Sequence, residues 1–472
     1  MTPPPDSVDK DAMIAALLAR IETLTAANAR LVARIAELES KLDQPPKTPD
    51  NSSMPPSKGQ KASESSKPKP KSKPHAGSHR ALHPHPTRRH PVFACRCQGC
   101  GTDVRGVLQS PSETYDRIEI PKIEPDVTQV SLYGGVCPGC SKRFKAEPPK
   151  GLEPGSPFGP NLRAFVIYLR SVQNIPLARL TDVLRDLLGL EISEGALVNI
   201  LHASRKLFAK QTSLLKLRLL SGTALASDET GIRVGKANWW LWVFHDGDTA
   251  VFVVDAHRSK AVVESFLGEW RPDYWISDRL GSQTGWAKKD YQFCLSHLIR
   301  DVQYAIDQGD AVLGPGLKGL LKRACAIGRR RDELADGTLK AYDADLNRRL
   351  DRLLSLTPTH KAGRKLQKTF KEIRSHLFVF VTNRGLTATN NGSERALRPC
   401  AIYRKITNGF RSEWAAKLYA DVRSVIETAR RRCIRAIDAI RITLKGVTLK
   451  PKGVSNYSDS GDRAIRSARV PL

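Results

Sequence analysis

The chain has 472 residues and a formal net charge of +28, from 76 Lys and Arg against 48 Asp and Glu. This length corresponds to two to four domains, and so large a positive charge favours a polyanionic partner, either nucleic acid or an anionic membrane surface. The sequence contains no run of about 18 apolar residues, so it predicts no membrane-spanning helix. The N-terminus lacks the basic and apolar regions of a secretory signal. We therefore expect a cytoplasmic protein with reduced cysteines and no membrane partner.

Residues 1–43 carry a heptad pattern that predicts a coiled-coil zipper. Leucine fills every d position, and isoleucine or leucine fills every a position except one, which is asparagine. The a positions are Ile14, Ile21, Asn28, Ile35 and Leu42, and the d positions are Leu17, Leu24, Leu31 and Leu38. This combination favours a parallel two-stranded coiled coil and hence a homodimer. The alternative is an amphipathic helix packed on its own chain, against which the stop at Pro45-Pro46 and the long linker argue.

Two segments have the composition of unfolded chain. Residues 44–92 are rich in proline, lysine and histidine, cannot bury a core, and predict an extended or disordered linker. Its lysines either contact phosphates or serve only to solvate the tether. Residues 446–472 predict a loose basic C-terminal tail.

Residues 93–150 contain two C-x-x-C pairs and predict a small zinc-binding module. The four cysteines are Cys97, Cys100, Cys137 and Cys140. Their spacing suits four thiolates on one structural Zn²⁺, and a reduced compartment favours a metal site over disulfides. Alternatives are a redox motif, chance, or a site in which Cys95 replaces Cys97. The alternating sequence between the pairs predicts short strands.

Residues 151–220 predict a helical region that resembles a helix-turn-helix. Apolar spacing marks a first helix, Gly189 ends it, and Ser193 caps a second helix. If that second helix enters the major groove, a few of its polar residues reach DNA. They are Asn199, His202, Ser204 and Arg205. The alternative is a plain helical hairpin.

Residues 221–445 change to a strand-rich pattern and predict an α/β domain. Three consecutive strands precede a helix, a strand, a helix and a strand, which is the order of a ribonuclease H-like fold. A basic helical insertion at about 310–385 interrupts this pattern, and a long helix begins near Ser393 after a turn at 389–392.

Three acidic residues of this domain carry the candidate chemistry. Asp228 and Asp278 follow apolar runs typical of buried strands, and Glu394 lies in the first turn of the late helix. These three places converge in a ribonuclease H-like fold. Three carboxylates suit two Mg²⁺ (or Mn²⁺) ions about 3.5–4 Å apart, which stabilise an in-line phosphodiester displacement. Strand alternation points Glu229 away from Asp228, so we select Asp228.

Each carboxylate also has a structural alternative. Asp255, Asp273 and Asp290 compete for the second position, and turn or N-cap roles are common for such residues. An acid near a helix N-terminus is favoured by the helix dipole alone, and Glu394 can pair with Arg398.

Basic residues and one histidine near these acids are candidate DNA contacts. His297 follows Cys294 in a C-x-x-H spacing without a second half-site, which favours a place beside the carboxylates over metal binding. Phosphate contacts are predicted for the basic stretch after Glu394, with a merely solvated face as the alternative. That stretch contains Arg395, Arg398, Arg404, Lys405 and Arg411.

The order of these motifs resembles the transposases of the insertion-sequence sixty-six family. After the zipper come PDNSSMPPSK, the CQGC and CPGC pairs, and the helical segment that begins PFGPNLRAF. They are followed by SDETGIRV, WWLWVF, YWISDRLGS, FCLSHLIRDVQ and TNNGSERALRP. The resemblance extends to about residue 445.

The resemblance implies a DDE transposase whose acidic triad matches Asp228, Asp278 and Glu394. It implies cleavage at the transposon end by a metal-activated water, followed by attack of the new 3′-hydroxyl on target DNA. The implied partners are double-stranded DNA, held at the terminal inverted repeats by the zinc module and helix-turn-helix, and helper proteins of the same element. A nucleoid-associated location follows.

Two other functions use the same residues. A metal-dependent nuclease without strand transfer needs the same triad. A non-catalytic DNA-binding protein would retain these carboxylates for structural reasons only.

Overall fold

The structure, a computed structural model, describes residues 10–42, 45–52 and 80–450. One compact unit comprises Met1–Gln60, Glu153–Asp182 and Ile192–Leu472, and the other comprises Lys61–Leu152 and Val183–Glu191. The tail from Pro451 onward and most of the expected linker lie outside the described residues.

The N-terminal heptads form one continuous helix, α1 (Lys10–Leu42). Its d-position side chains Leu17, Leu24 and Leu31 are 53% to 62% exposed, so the apolar seam is uncovered. By length and composition, the stretch Ala12–Ile35 could cross a membrane, contrary to the expectation from apolar runs. A single helix of this kind near the N-terminus does not indicate a membrane protein.

The second unit has little regular structure. Its two short strands, β1 (Gly134–Val136) and β2 (Arg143–Lys145), pair antiparallel around the second cysteine pair. The strands predicted between the two cysteine pairs are wrong for residues 115–133, which form none. Ile120 and Val127 there are 78% and 83% exposed, because an alternating segment becomes a strand only beside a partner strand.

Three helices precede the sheet: α2 (Pro160–Ser171), α3 (Leu177–Leu188) and α4 (Glu194–Leu219). Gly189 follows α3 with φ +62°, a conformation in which glycine is favoured as a helix stop. Ser193 caps α4 by accepting a 3.2 Å hydrogen bond from the backbone amide of Ala196.

A five-stranded mixed sheet forms the core of the first unit. Its elements are β3 (Ala224–Val234), β4 (Ala237–His245), β5 (Ala250–Asp255), α5 (Lys260–Leu267), β6 (Tyr274–Ser277) and β7 (Asp290–Phe293). The strand order is β5-β4-β3-β6-β7, with β3, β4 and β5 antiparallel and β6 and β7 parallel to β3. This arrangement is compatible with the expected ribonuclease H-like core.

One expected element is different. The connection between β6 and β7 contains a single 3₁₀ turn, Gly281–Gln283, where the predicted order of elements has a helix. The helix follows β7 instead, as α6 (Leu295–Asp307).

The remaining α-helices follow α6 in the chain. They are α7 (Gly314–Arg330), α8 (Asp336–Leu354), α9 (Lys361–Glu372), α10 (Val379–Thr382), α11 (Asn391–Thr407), α12 (Glu413–Arg431) and α13 (Ala436–Leu444). Helices α7 to α10 lie within the segment expected to be a helical insertion.

Alternation along β4 explains why both faces of the sheet are covered. Trp242 and Phe244 are buried on one face, where Phe244 stacks on Phe266 of α5 at 3.9 Å between ring centroids. Leu241 and Val243 are buried on the other face, in the cluster that includes residues of α11. A strand with apolar residues on both faces must lie inside a layered α/β core.

Candidate functional site

Asp228 lies within β3, and Asp278 is the first residue after the neighbouring parallel strand β6. The pairing of β3 with β6 aligns Ala226 with Ile276, and each aspartate follows two residues later. Paired parallel strands lie about 4.8 Å apart, so the backbones that carry the two carboxylates are adjacent. Only Asp278 lies at a strand end, because β3 continues past Asp228 to Val234.

The carboxyl group of Asp228 lies in an environment that opposes its ionisation. Burial raises its pKa well above the ordinary value, and the charges of Glu229, Asp278 and Glu394 raise it further. One hydrogen bond, 2.9 Å from the backbone amide of Glu229, acts in the opposite direction. Asp228 forms no ion pair with any described residue. The charges of the other two predicted acids, Asp278 and Glu394, thus both act on the carboxyl group of Asp228.

Glu229 has a different environment from its neighbour. Its side chain is 1% exposed and forms a 2.6 Å ion pair with Arg258. The amide of Gln283 also donates to Glu229, and the carbonyl oxygen of Gln283 accepts a 2.5 Å hydrogen bond from Ser227. Burial raises the pKa of Glu229, and Arg258 opposes this effect only in part. The contacts of Glu229 nevertheless fix β3 to Gln283 and Arg258.

Each of the three competing aspartates contacts a basic side chain. Asp273 contacts Lys289 at 3.0 Å, Asp290 contacts His376 at 2.6 Å and Asp255 contacts His257 at 3.1 Å. Asp278, in contrast, is among the main causes of the raised pKa of Asp228. Asp278 is therefore the better candidate for the second position.

Glu394 lies in the first turn of α11, beside two basic residues of α6. Its Oε1 lies 3.4 Å from Nη2 of Arg300 and 3.8 Å from Nε2 of His297. Burial lowers the pKa of His297, and the neighbouring Arg300 lowers it further against the opposing effect of Glu394. The structure thus places His297 beside the acidic residues.

Asn390 lies in the turn predicted at 389–392 and connects the elements of the site. It is 2% exposed, and its side-chain amide donates a 2.7 Å hydrogen bond to the carbonyl oxygen of Ser227, the residue before Asp228. Its backbone amide donates to Sγ of Cys294 at 3.1 Å, which gives that thiol a structural role. Asn390 also accepts a 2.6 Å hydrogen bond from Ser393, which contacts His245 at 2.8 Å. The start of α11, and with it Glu394, is therefore fixed to the strand that carries Asp228.

The three predicted acids influence one another electrostatically, but they are not arranged as metal ligands. Across the described ranges, no group of three or more His, Cys, Asp or Glu side chains is gathered closely enough to hold a metal ion. The donor set itself fits a hard divalent cation, because carboxylate oxygens are its preferred ligands and the cation would relieve their mutual repulsion.

The predicted DNA contacts have different environments. Arg395, Arg398, Lys405 and Arg411 are exposed and form no ion pair with a described residue, whereas Arg404 is half-buried and donates to the carbonyl oxygen of Gly231. Arg404 therefore fixes α11 to β3. On α4, Asn199 is exposed, and the guanidinium of Arg205 lies 5.7 Å from the ring centroid of Trp414.

A cavity of about 530 Å³ opens beside the N-terminus of α11. Asn391, three residues before Glu394, lines it, and Lys322, Arg329 and Arg331 contribute positive charge. Ile299 supplies part of an apolar wall. This cationic cavity is a candidate for phosphate contacts that no local sequence pattern indicated, because its residues come from α6, the helical insertion and the start of α11.

The two cysteine pairs in the second unit form equivalent turns. The carbonyl oxygen of Cys97 accepts a 2.8 Å hydrogen bond from the amide four residues later, and that of Cys137 does the same. Hydrogen bonds from Thr102 lower the pKa of Cys100, and backbone amides of the second turn lower the pKa of Cys137. Thiolates are the metal-binding form of cysteine, so each turn fits half of a zinc site. The structure brings the cysteines together in pairs but not as a group of four.

Residues 155–418 match the family described as Transposase IS66 family. The matched region includes the three acidic residues, the central sheet and the helices inserted after β7. A search of the curated proteins found no match.

Proposed function

Because the chain belongs to the IS66 family of transposases, we propose that it cleaves DNA at the ends of an insertion sequence and joins those ends to target DNA. Family membership implies DNA as the partner and a divalent metal in the reaction. The finer assignments below rest on the geometry of the site.

The observation that carries the proposal is the position of Asp228 in β3 beside Asp278, which directly follows the neighbouring parallel strand β6, with the charge of Glu394 acting on Asp228. We infer that these residues hold two Mg²⁺ or Mn²⁺ ions. When bound, the ions supply charge stabilisation to the attacking and leaving oxygens of an in-line phosphoryl transfer.

The residues around the triad position it. Arg258 and Gln283 hold Glu229 and thereby leave Asp228 as the strand's uncompensated carboxylate. Asn390 fixes the first turn of α11 relative to β3, and Arg300 orients the carboxylate of Glu394. A preorganised arrangement of this kind lowers the reorganisation needed during reaction.

The exposed basic face of α11 and the cationic cavity support a DNA path beside the triad. Arg395, Arg398 and Lys405 follow Glu394 on the same helix and are open to solvent. Lys and Arg side chains in such positions neutralise backbone phosphates and set the register of a duplex without reading its sequence.

The remaining parts of the chain have roles in end recognition and pairing. We infer that Cys97, Cys100, Cys137 and Cys140 bind one Zn²⁺ and that this module and helices α3 and α4 hold the terminal inverted repeats. The exposed seam of α1 supports a homodimer in which two ends are processed together. Helper proteins of the same element are further partners.

An end-joining assay tests the proposal. Purified protein is incubated with Mg²⁺, a labelled DNA fragment that carries a candidate element end, and unlabelled target DNA. We expect joined products with the wild type, and we expect binding without cleavage with Glu394→Gln. Cleaved but never joined fragments would identify a nuclease, whereas equal binding with no product from either protein would identify a non-catalytic DNA-binding protein.

A further inference from the structure

Residues 45–52, here called the anchor turn, dock on the C-terminal end of α6. The segment includes the start of the PDNSSMPPSK motif, which has no role in the site described above. Asn51 is 5% exposed, and its side-chain amide donates to Asp307 of α6 at 2.9 Å and to the carbonyl oxygen of Pro46 at 3.2 Å. Its side-chain oxygen accepts a 2.7 Å hydrogen bond from the backbone amide of Thr48. The sequence predicted a linker here, but this part is folded.

Each oxygen of the Asp307 carboxylate has a partner. Oδ2 accepts from Asn51, and Oδ1 accepts a 2.6 Å hydrogen bond from Gln303, whose side-chain oxygen accepts from Lys318 of α7. Nζ of Lys47 lies 5.9 Å from the ring centroid of Tyr304. Asn51 therefore joins a polar network that already connects α6 to α7.

The same helix contacts the candidate catalytic residue. His297 and Arg300 in the first turns of α6 face Glu394, and Tyr304 and Asp307 near its end face the anchor turn. Spacings of three, four and three residues place these side chains on one face of a helix. At 1.5 Å per residue, the two ends of this face are about 15 Å apart.

We propose that the anchor turn fastens α1 to α6 and that Asn51 is a positioning residue for Glu394, acting through α6. Only residues 43 and 44 separate the end of α1 at Leu42 from the anchor turn, so docking of the turn keeps the end of α1 within a few residues of α6 along the chain. The docking stands independently of the proposed function, whereas the consequence for strand transfer rests on it.

Hydrogen exchange of the full-length protein tests the docking without any assay of activity. In Asn51→Asp, two carboxylates face each other, and we expect the hydrogen-bonded backbone amides of residues 48 and 51 to exchange at least about tenfold faster, since 1.4 kcal/mol corresponds to tenfold. We also expect faster exchange in the first turns of α6. The matched control is Asp50→Asn, in the same turn, because Asp50 is exposed and should behave as the wild type.

A second variant guards against general unfolding. Combining Asn51→Asp with Asp307→Asn restores a carboxylate–amide hydrogen bond with reversed polarity, and we expect it to recover most of the lost protection. Unchanged exchange at residues 48 and 51 in Asn51→Asp, or loss in the double variant equal to that in the single one, would overturn the docking. Faster exchange confined to the anchor turn, with His297 to Arg300 unaffected, would overturn the coupling to Glu394.

Activity provides the last readout. If the wild type joins DNA ends, we expect Asn51→Asp to lower the rate of joining while leaving the Kd for DNA unchanged. An unchanged rate would overturn the positioning role. An inactive wild type would contradict the proposed function but leave the exchange experiment fully informative.

Discussion

The carboxylate of Glu229 forms a 2.6 Å ion pair with the guanidinium of Arg258, which gives this acid a compensating charge inside the protein. Asp228, one residue earlier on the same strand, has no such partner among the described residues. The two adjacent acids therefore differ in their contacts, which is why the proposed cation site includes Asp228 and not Glu229. Substitution of each by its amide tests this difference.

For Asp228→Asn we expect strand cleavage to fall to background without loss of fold. Burial and neighbouring acids raise the folded-state pKa of Asp228, so the carboxyl contributes most to stability below the unfolded pKa of 3.8 and loses this contribution as pH rises. Without divalent ions, the Tm of Asp228→Asn relative to the wild type should therefore increase from about pH 4 towards neutrality. Thermal unfolding across this range is the measurement, and parallel Tm profiles would contradict the burial argument.

For Glu229→Gln we expect a loss of stability from the broken ion pair, reduced by the relief of a buried charge, since burial raises the pKa of Glu229 despite Arg258. The substitution removes the compensating charge from Arg258, and a lost hydrogen bond to a charged group costs about 1.5–3 kcal/mol. The lower end applies because the Arg258 side chain is 41% exposed. Denaturant unfolding of Glu229→Gln, Asp228→Asn and the wild type measures the difference. A Glu229→Gln protein as stable as the wild type would show that the ion pair contributes nothing to stability.

Local patterns predicted the end of β6 before Asp278 and the start of α11 near Glu394, because these depend on residues close together in the chain. They did not show that β3 continues past Asp228 to Val234. The contacts of Asn390 with Ser227 and of Asn51 with Asp307 join residues far apart in the sequence, and no local pattern indicates them. The strands predicted between the cysteine pairs failed for a related reason, since alternation does not reveal whether a partner strand exists.

The cysteine turns give a prediction about metal content. We expect about one zinc per chain in protein purified without chelators and loss of that zinc in Cys100→Ser. Cys433→Ser is the control, since Cys433 is exposed and lies outside both turns. Elemental analysis of the three proteins is the measurement, and full zinc content in Cys100→Ser would contradict the assignment. Because the pKa of Cys100 is lowered, we expect zinc to be retained into mildly acidic buffer.

The basic side chains of α11 should divide into two classes. Arg398 is exposed, so Arg398→Ala should weaken DNA binding uniformly across sequences and reduce the slope of log K against log salt by about one. Arg404 donates to the carbonyl oxygen of Gly231, so Arg404→Ala should lower the Tm. Binding titrations at several salt concentrations, with unfolding curves for both variants, make the comparison. An unchanged salt slope in Arg398→Ala would contradict DNA binding along this face of α11.

The exposed seam of α1 predicts that dimerisation depends on its d positions. Leu24 is 57% exposed, and a coiled coil would bury two copies of it per dimer. Burial of a leucine stabilises by about 1.5–3 kcal/mol, so Leu24→Asp should raise the dimer Kd by at least about a hundredfold. Ala19→Asp adds the same charge on the opposite side of the helix and should leave the dimer intact. Sedimentation velocity over a concentration series distinguishes the variants, and an undiminished dimer in Leu24→Asp would assign self-association to another surface.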